Sequence, residues 1–124
     1  MQMSDTEIDV WLKLVSLLDE IDEVADAIIV EGQEDDRTLR HLGIRKPIFR
    51  ASSSRSQTDL VEDLAKNFRK VIIITDFDRE GRSLNRRLTN VLEKRGLTVE
   101  KALRKRLGKL LGQLSILTIE SLTR

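Results

Sequence analysis

The apolar residues near the start of the chain are spaced as in a helix. Ser4-Asp5-Thr6-Glu7 has the spacing of a capping box, which marks a helix N-terminus. Apolar side chains then recur at helical intervals, at Ile8, Trp11, Leu12, Val15 and Leu18. The pattern predicts a helix over residues 4–22 with these five side chains facing the core. Within that stripe, Trp11 is expected to be a core residue and not a platform for nucleic-acid bases.

Two short, uninterrupted, β-branched runs predict buried strands. They are Ala27-Ile28-Ile29-Val30 and Val71-Ile72-Ile73-Ile74, a pattern typical of parallel strands covered on both faces. Weaker strand candidates lie at residues 48–49, 97–99 and 115–119, and helical patterns at 34–42, 58–67, 79–95 and 100–111. Alternating strands and helices predict an α/β fold with a mostly parallel sheet of four or five strands flanked by helices.

The length of 124 residues suits one domain with its own core. We expect a single domain over 1–124, made of the helix 4–22, a core 27–95 and a basic extension 97–124. The chain has no cysteine, which excludes disulfides, a thiolate zinc site and a thiol nucleophile. No apolar run approaches the roughly 20 residues that span a bilayer. A cytoplasmic protein without a membrane partner is therefore expected.

The formal net charge of +1 conceals a strong charge asymmetry along the chain. Residues 1–36 carry 12 acids and one base, whereas residues 79–109 carry 11 bases and three acids. Such asymmetry indicates an acidic site or face on one side and an anion-binding surface on the other. Solvated charge on helix surfaces is the alternative interpretation for most individual residues.

Carboxylates follow both of the predicted buried strands. Glu31 closes the first, and Asp76 and Asp78 follow the second. Ligands of open parallel sheets bind beyond the carboxyl ends of the strands. Because neighbouring carboxylates repel each other unless a cation or proton compensates, the arrangement predicts a site for a hard divalent cation, Mg²⁺ or alternatively Mn²⁺.

These residues resemble a known family. Val30-Glu31-Gly32 followed by Asp35, and Thr75-Asp76-Phe77-Asp78-Arg79-Glu80-Gly81 at the end of a strand, look like the two motifs of the Toprim domain. That domain, with its Rossmann-like fold, occurs in topoisomerases, bacterial primases, recombination mediators and the ribonuclease that matures 5S ribosomal RNA. The resemblance implies that Glu31 is a general acid/base, that Asp76 and Asp78 bind metal together with Glu31, and that Glu80, the third acid of the second motif, is a further metal ligand.

The resemblance also implies Mg²⁺-dependent cleavage or transfer of nucleic-acid phosphodiesters. The chain has no tyrosine, so the covalent tyrosyl chemistry of topoisomerases does not fit, and primases need further domains. The first motif looks closer to those of the maturation ribonuclease and primases, which favours a nuclease active in RNA processing. The alternative is a non-catalytic Toprim module that binds nucleic acid or a protein partner through a metal-dependent site. RNA or DNA as substrate, and a homodimer or another protein partner, stay open.

Basic residues supply the predicted nucleic-acid surface. The expected phosphate contacts are Arg79, Arg82, Arg86, Arg87, Arg104, Lys105, Arg106, Lys109 and Arg55. With four aromatic residues in the chain, recognition of the backbone is expected in preference to base stacking. The serines at 52–54 either cradle phosphate or form a flexible loop. His41 is expected to be structural. Glu120, after Thr118-Ile119, is a candidate for a further acid at a strand end, but an exposed terminal carboxylate is the preferred interpretation.

Two other classes place an aspartate after a strand. In haloacid-dehalogenase-like phosphatases the Asp-x-Asp motif opens the domain and precedes Gly-Thr, whereas here it lies in mid-chain before Arg79-Glu80. A receiver-like phosphoacceptor domain needs a lone acceptor aspartate and a later lysine. Both are weaker interpretations than the Toprim resemblance.

Overall fold

The computed structural model describes residues 2–53 and 55–123. Over these residues the helices and strands are α1 (Asp5–Val24), β1 (Ala27–Val30), α2 (Gln33–His41), β2 (Ile48–Arg50), α3 (Gln57–Asn67), β3 (Lys70–Ile73), α4 (Arg79–Lys94), β4 (Thr98–Val99) and α5 (Ala102–Gln113). A 3₁₀ turn over Ile119–Thr123 follows. The predicted α/β class is confirmed.

The strands form one parallel sheet in the order β2-β1-β3-β4. Ile28 of β1 lies opposite both Ile48 of β2 and Ile72 of β3, so β1 is a central strand. Strand β3 is also central, because it pairs with β1 on one side and β4 on the other. From β1 the chain moves outward to β2, then returns past β1 to β3 and continues outward on the other side. The direction of winding therefore reverses between β1 and β3. In open parallel sheets, this switch point is where a crevice forms and ligands bind.

Alternate residues of the central strands supply two separate cores. Ile28, Val30, Ile72 and Ile74 pack with α1, α5 and Leu39 of α2 on one face. The intervening residues pack on the other face with α3 and α4, in a cluster that contains Ala27, Ile29, Val71, Ile73, Leu60, Leu64, Leu88 and Leu92. Because both faces are covered, β1 and the last three residues of β3 are fully buried, which explains their uninterrupted apolar sequences.

Helix α1 forms as predicted but buries a different stripe. The Ser4 hydroxyl accepts the Glu7 N–H at 3.1 Å, which confirms the N-cap. The buried side chains are Val10, Leu14, Leu17, Leu18 and Ile21. Ile8, Leu12 and Val15 are 44–66% exposed, so the predicted inward face is wrong for these three, while Trp11 is partly buried against the core. The helix carries two overlapping apolar stripes, the predicted one and the one that contains Val10, Leu14 and Leu17. Packing against α5 buries the stripe that contains Val10, Leu14 and Leu17.

The predicted strand over residues 115–119 is wrong. Ser115 has a φ of 57°, and the Ile116 N–H bonds back to Leu111 O at 2.9 Å, so the chain turns sharply after α5. It then runs along the sheet end, where the Phe77 N–H donates to Leu117 O at 2.7 Å. Ile119 and Leu122 are buried in the core cluster on the α1 face. The tail is therefore packed against the edge where the strand-end carboxylates lie.

Across the described residues, no helix combines the length and apolar character that crossing a membrane requires.

Candidate active site

A backbone hydrogen bond joins the two strand ends at the switch point. Glu31 directly follows β1, and its Oε1 accepts the N–H of Asp76 at 3.0 Å. The two residues are 45 positions apart, and the pairing of β1 with β3 brings them together. Glu31 and Asp76 therefore lie side by side at the point of the sheet where a ligand is expected.

The tail adds to the site a carboxylate that was not among the predicted site residues. Asp76 Oδ1 accepts the N–H of Ile119 at 2.8 Å, which holds the 3₁₀ turn against the site. Glu120 follows Ile119 and lines the same open cleft as Glu31 and Asp76, with a volume of about 540 Å³. The expectation that Glu120 is an exposed terminal carboxylate is therefore wrong, since it is partly buried at the site. Its only sequence signal is its position directly after Thr118-Ile119.

Asp35 is a second acid of this cleft that was not among the predicted site residues. It is 7% exposed, and its Oδ2 accepts the Gly32 N–H at 3.0 Å, which caps the N-terminus of α2. An acid three residues after the N-cap residue Gly32 is typical of a capping box. Asp35 therefore has a structural role at the start of α2 in addition to any role in the cleft. Asp35 also lines the cleft beside Glu31 and Asp76.

Burial and mutual repulsion raise the pKa values of these acids. Burial is the largest cause of the raised pKa of Glu31, with Asp76, Asp35 and Asp78 adding repulsion. Burial likewise raises the pKa of Asp35, and nearby Asp76 and Glu120 raise it further. The pKa of Asp76 is raised by burial and by Asp78 and Glu120. A cation bound here would relieve the same repulsion.

Asp78 and Glu80 occupy the first turn of α4. Asp78 is the N-cap, and its Oδ1 accepts the Gly81 N–H at 2.8 Å. Glu80 is exposed. Gly81 fits tightly here, because a Cβ at this position would lie 2.1 Å from Asp76 O. Asp78 therefore has a structural role in addition to the metal-binding role that its motif predicts, and neither Asp78 nor Glu80 is among the residues that line the cleft.

Arg104 is a structural cation under the site. Strand β4 pairs only with Lys70 and Val71, so carbonyls further along β3 have no strand neighbour on that side. The guanidinium of Arg104 satisfies them: it donates to the carbonyls of Ile73, Thr75 and Asp76 at 3.1, 2.8 and 3.3 Å.

The environment of Arg104 fixes both its charge and its exposure. Burial lowers its pKa to about 10, so it stays charged at neutral pH. It is 7% exposed and lies 4.3 Å from the centre of the Phe77 ring. Three of its hydrogen bonds are made inside the protein, and Arg104 also lines a cleft between α4 and α5, so its contact with nucleic acid stays a prediction.

Two other predicted phosphate ligands already have acidic partners. Arg106 Nη1 bonds Glu20 at 2.7 Å, and Arg55 pairs with Asp63. In the described part of the chain, the remaining predicted cations form no ion pair with a carboxylate; these are Arg79, Arg82, Arg86, Arg87, Lys105 and Lys109. Ser52 lines the acidic cleft, Ser54 lies outside the described residues, and His41 is exposed at the end of α2.

The donor set suits a hard cation held by few protein ligands. Among residues 2–53 and 55–123, no group of three or more histidine and carboxylate side chains is close enough to enclose a metal ion. Mg²⁺ does not need such a cage, since it keeps several waters and binds through one or two carboxylates plus substrate phosphates. Glu31 and Asp76 supply two carboxylates side by side at the switch point of the sheet. These residues therefore fit a divalent cation.

Comparison with known proteins identifies the family. Residues 26–109 match the family described as the Toprim domain. The chain belongs to the Toprim domain family. Toprim domains generally bind divalent metals, typically Mg²⁺, and membership supports a metal-dependent function connected with nucleic acids.

This Toprim protein is also similar to several archaeal proteins. It is 40% identical to the UPF0292 protein of Thermococcus onnurineus over 100 aligned residues. The alignment covers 81% of this chain and 74% of that protein. It is 36% identical over 112 residues to the UPF0292 protein of Pyrococcus horikoshii, covering 90% and 83%. A solved structure of a protein from Aquifex aeolicus superposes with a TM-score of 0.73 at 26% identity, covering 89% of this chain and 95% of that one. The structural match supports the Toprim-like α/β fold.

Proposed function

We propose that this Toprim protein cleaves nucleic-acid phosphodiesters with the help of a divalent cation, Mg²⁺ or Mn²⁺. Glu31 is the general acid/base, and Asp76 is the principal metal ligand, assisted by Asp78. The observation that carries the proposal is the hydrogen bond from the Asp76 N–H to Glu31 Oε1 at the switch point of the sheet. It holds a proton-transfer group beside a metal-binding carboxylate.

Glu31 is suited to proton transfer by its surroundings. A general acid/base works best when its pKa lies near the working pH. Burial raises the pKa of Glu31, and the charges of Asp76 and Asp35 add to the increase. Oε1 is fixed by the Asp76 N–H, which orients the carboxyl group and leaves Oε2 to exchange a proton with water or a leaving oxygen.

The metal-binding role falls to the carboxylates around Asp76. Asp76 has one oxygen bonded to Ile119 N, so its other oxygen is the candidate ligand. Asp78 Oδ1 caps α4, and its second oxygen is the candidate ligand there. A divalent cation, when bound, supplies positive charge that neutralises the phosphate oxygens as negative charge develops on them.

RNA is the first substrate to test. Hydrolysis by water suits a chain without tyrosine better than a covalent tyrosyl mechanism does. A single Toprim unit acting on structured RNA, as in maturation of 5S ribosomal RNA, is therefore the specific activity that we propose, with single-stranded DNA as the comparison substrate.

The test is cleavage of labelled structured RNA and single-stranded DNA with Mg²⁺, with Mn²⁺ and with chelator. We expect metal-dependent cleavage that Glu31→Gln and Asp76→Asn abolish. Asp78→Asn keeps an N-cap but removes the charge, so it should reduce activity without loss of stability. Glu23→Gln, an equal charge change at an exposed position on α1, is the control and should retain activity. Full activity of the Glu31→Gln, Asp76→Asn double variant would exclude the proposed mechanism.

A metal-dependent binding module is the second candidate function. The observation that favours it is that Glu31, Asp76 and Asp78 each already accept a backbone hydrogen bond. Such a module would bind nucleic acid more tightly with Mg²⁺ and never cleave it. Tight, Mg²⁺-dependent binding without products in the assay above would support this candidate.

A further inference from the structure

A second cleft opens between α4 and α5, next to the acidic cleft. It has a volume of about 430 Å³. It is lined by Arg82, Asn85 and Arg86 of α4, by Arg104 and Lys105 of α5, and by Phe77. Phe77 directly follows Asp76 in the chain, so the two clefts lie on either side of this segment. We call it the α4–α5 cleft.

Three of its cations have no carboxylate partner among the described ion pairs. Within the described ranges, Arg82, Arg86 and Lys105 form no ion pair with a carboxylate. Arg82 and Arg86 are four residues apart on one helix face, where like charges destabilise a helix. The one acid of the lining, Glu100, accepts the Leu103 N–H at 3.2 Å, and Lys101 is paired with Glu93. Three cations of the cleft are therefore available to an anion.

The other basic groove of the protein differs in this respect. It lies between α1 and α5 and is lined by Lys13, Arg106 and Lys109. Lys13 pairs with Asp9 at 3.1 Å and Arg106 with Glu20 at 2.7 Å. Two of its three cations thus have acidic partners, which favours the α4–α5 cleft as the anion site.

Phe77 has a restrained position in this cleft. Its ring lies 4.3 Å from the Arg104 guanidinium. A Cβ at Gly108 would lie 2.6 Å from Phe77 Cε1, so α5 approaches the ring closely. The ring of Phe77, the residue after Asp76, is therefore packed between Arg104 and Gly108 of α5.

We propose that the α4–α5 cleft binds the phosphate backbone of a nucleic-acid strand beyond the phosphodiester held at Glu31 and Asp76. The protein then acts on linkages inside a polynucleotide and not on mononucleotides. This deepens the proposed function, on which it rests, by naming its substrate class. The ligand chemistry is the phosphodiester oxyanion, which guanidinium and ammonium groups bind with charge-assisted hydrogen bonds.

The test compares two neighbouring arginines on α4. Both side chains are exposed, but only Arg86 lines the cleft, so the phosphate contact that the sequence predicts for Arg87 is not part of this proposal. Arg86→Gln and Arg87→Gln change the net charge of the protein equally. A difference in nucleic-acid affinity between the two variants would therefore indicate a local binding site at Arg86. Binding of a labelled single-stranded RNA, a single-stranded DNA and a duplex is measured by fluorescence anisotropy over a range of salt concentrations, in chelator, so that no cleavage is required.

We expect Arg86→Gln to weaken binding several-fold and to reduce the slope of log K against log salt by about 0.7 on single strands or about 0.9 on duplex. The Arg82→Gln, Arg86→Gln, Lys105→Gln triple variant should reduce it by about 2 or more. Arg87→Gln should have a much smaller effect. Equal effects of Arg86→Gln and Arg87→Gln would overturn the proposal, because binding would then follow net charge alone.

A second arm tests for a small phosphate ligand. Inorganic pyrophosphate and a mononucleotide are used as competitors, and we expect neither to displace the labelled strand at concentrations where an unlabelled strand does. Displacement by either at comparable concentrations would overturn the backbone assignment. If no assay shows cleavage but Arg86→Gln weakens binding more than Arg87→Gln does, the proposed function is rejected and the cleft assignment is supported. If cleavage occurs but the two variants weaken binding equally, the proposed function is supported and the cleft assignment is rejected.

Discussion

The N–H of Asp76 donates to Glu31 Oε1 across 3.0 Å, so the backbone of one strand end positions the side chain of the other. The first prediction separates this hydrogen bond from the charge of Glu31. Glu31→Gln keeps an acceptor and removes repulsion, so the unfolding free energy in chelator should equal or exceed that of the wild type. Glu31→Ala leaves the Asp76 N–H without its partner and should cost about 1–3 kcal/mol. Urea denaturation of both variants measures the difference, and equal stabilities would show that the bond contributes nothing.

The second prediction concerns metal and Asp76. Asp76→Asn can still accept from Ile119 N, so in chelator it should be as stable as the wild type or more stable. Mg²⁺ that binds only the folded state stabilises it by about 2.7 kcal/mol at 100 times its dissociation constant. Thermal melts with chelator and with excess Mg²⁺ should show a large gain for the wild type and a small gain for Asp76→Asn. If both gain equally, Asp76 is not a metal ligand.

The third prediction is the pH dependence of the metal-free protein. The pKa values of Glu31, Asp35 and Asp76 are raised in the folded state, first by burial. A raised pKa means that the folded protein binds more protons than the unfolded chain at intermediate pH. The contribution to stability is then fully present below the ordinary values of 3.8 and 4.5 and is lost as the pH rises through the folded-state values. Stability in chelator should increase as the pH falls from neutral towards about 5.

Asp26 provides an internal contrast of opposite sign. Hydrogen bonds from the N–H groups of Lys70 and Arg69 lower its pKa. The contribution of Asp26 to the free energy of unfolding is present above its ordinary pKa of 3.8. It is lost as the pH falls through the lower pKa of Asp26 in the folded state. Asp35→Asn should therefore flatten the stability profile above the ordinary value of 3.8, and Asp26→Asn should flatten it only below that value. An unchanged profile in Asp35→Asn would contradict the third prediction.

The sequence was sufficient for the parts of the fold that local pattern determines. The predicted runs Ala27–Val30 and Val71–Ile74 are fully buried, so apolar character alone identified both strands, the second of which spans Lys70–Ile73 in the structure. The α1 stripe could not be chosen from spacing, since Leu12 and Leu14 belong to two overlapping stripes and only the position of α5 decides between them.

The candidate site was predictable only where its acids directly follow strands. Glu31 and Asp76 meet because β1 and β3 are neighbours, as the two strongest strand patterns predict. Glu120 comes to the site through the Ile119–Asp76 hydrogen bond, which depends on where the tail packs. Arg104 looked like a surface cation in a basic run, and its burial follows from the shortness of β4, a feature without a sequence signal.

The fourth prediction tests Arg104 against a neighbour on the same helix. Arg104→Met keeps much of the apolar stem but leaves carbonyls of Ile73, Thr75 and Asp76 without their donor. We expect a loss of about 3 kcal/mol of unfolding free energy. Arg106→Met removes only an exposed ion pair with Glu20 and should cost less than about 1 kcal/mol. Chemical denaturation of both variants checks this, and similar losses would mean that the three hydrogen bonds contribute no more than a surface ion pair.

The last prediction compares two glycines in helices. A Cβ at Gly81 would lie 2.1 Å from Asp76 O and 2.6 Å from Asp76 C, which are backbone atoms that cannot move without displacing the site. Gly81→Ala should therefore cost about 3 kcal/mol or more and weaken Mg²⁺ binding as well. At Gly112, near the end of α5, a Cβ would have nothing within 4 Å, so Gly112→Ala should be neutral or stabilising by up to about 1 kcal/mol because alanine favours helix. Thermal melts and Mg²⁺ titration of the two variants measure both effects. If Gly81→Ala kept the stability and the Mg²⁺ affinity of the wild type, the close contact between α4 and Asp76 could not be what positions the carboxylate.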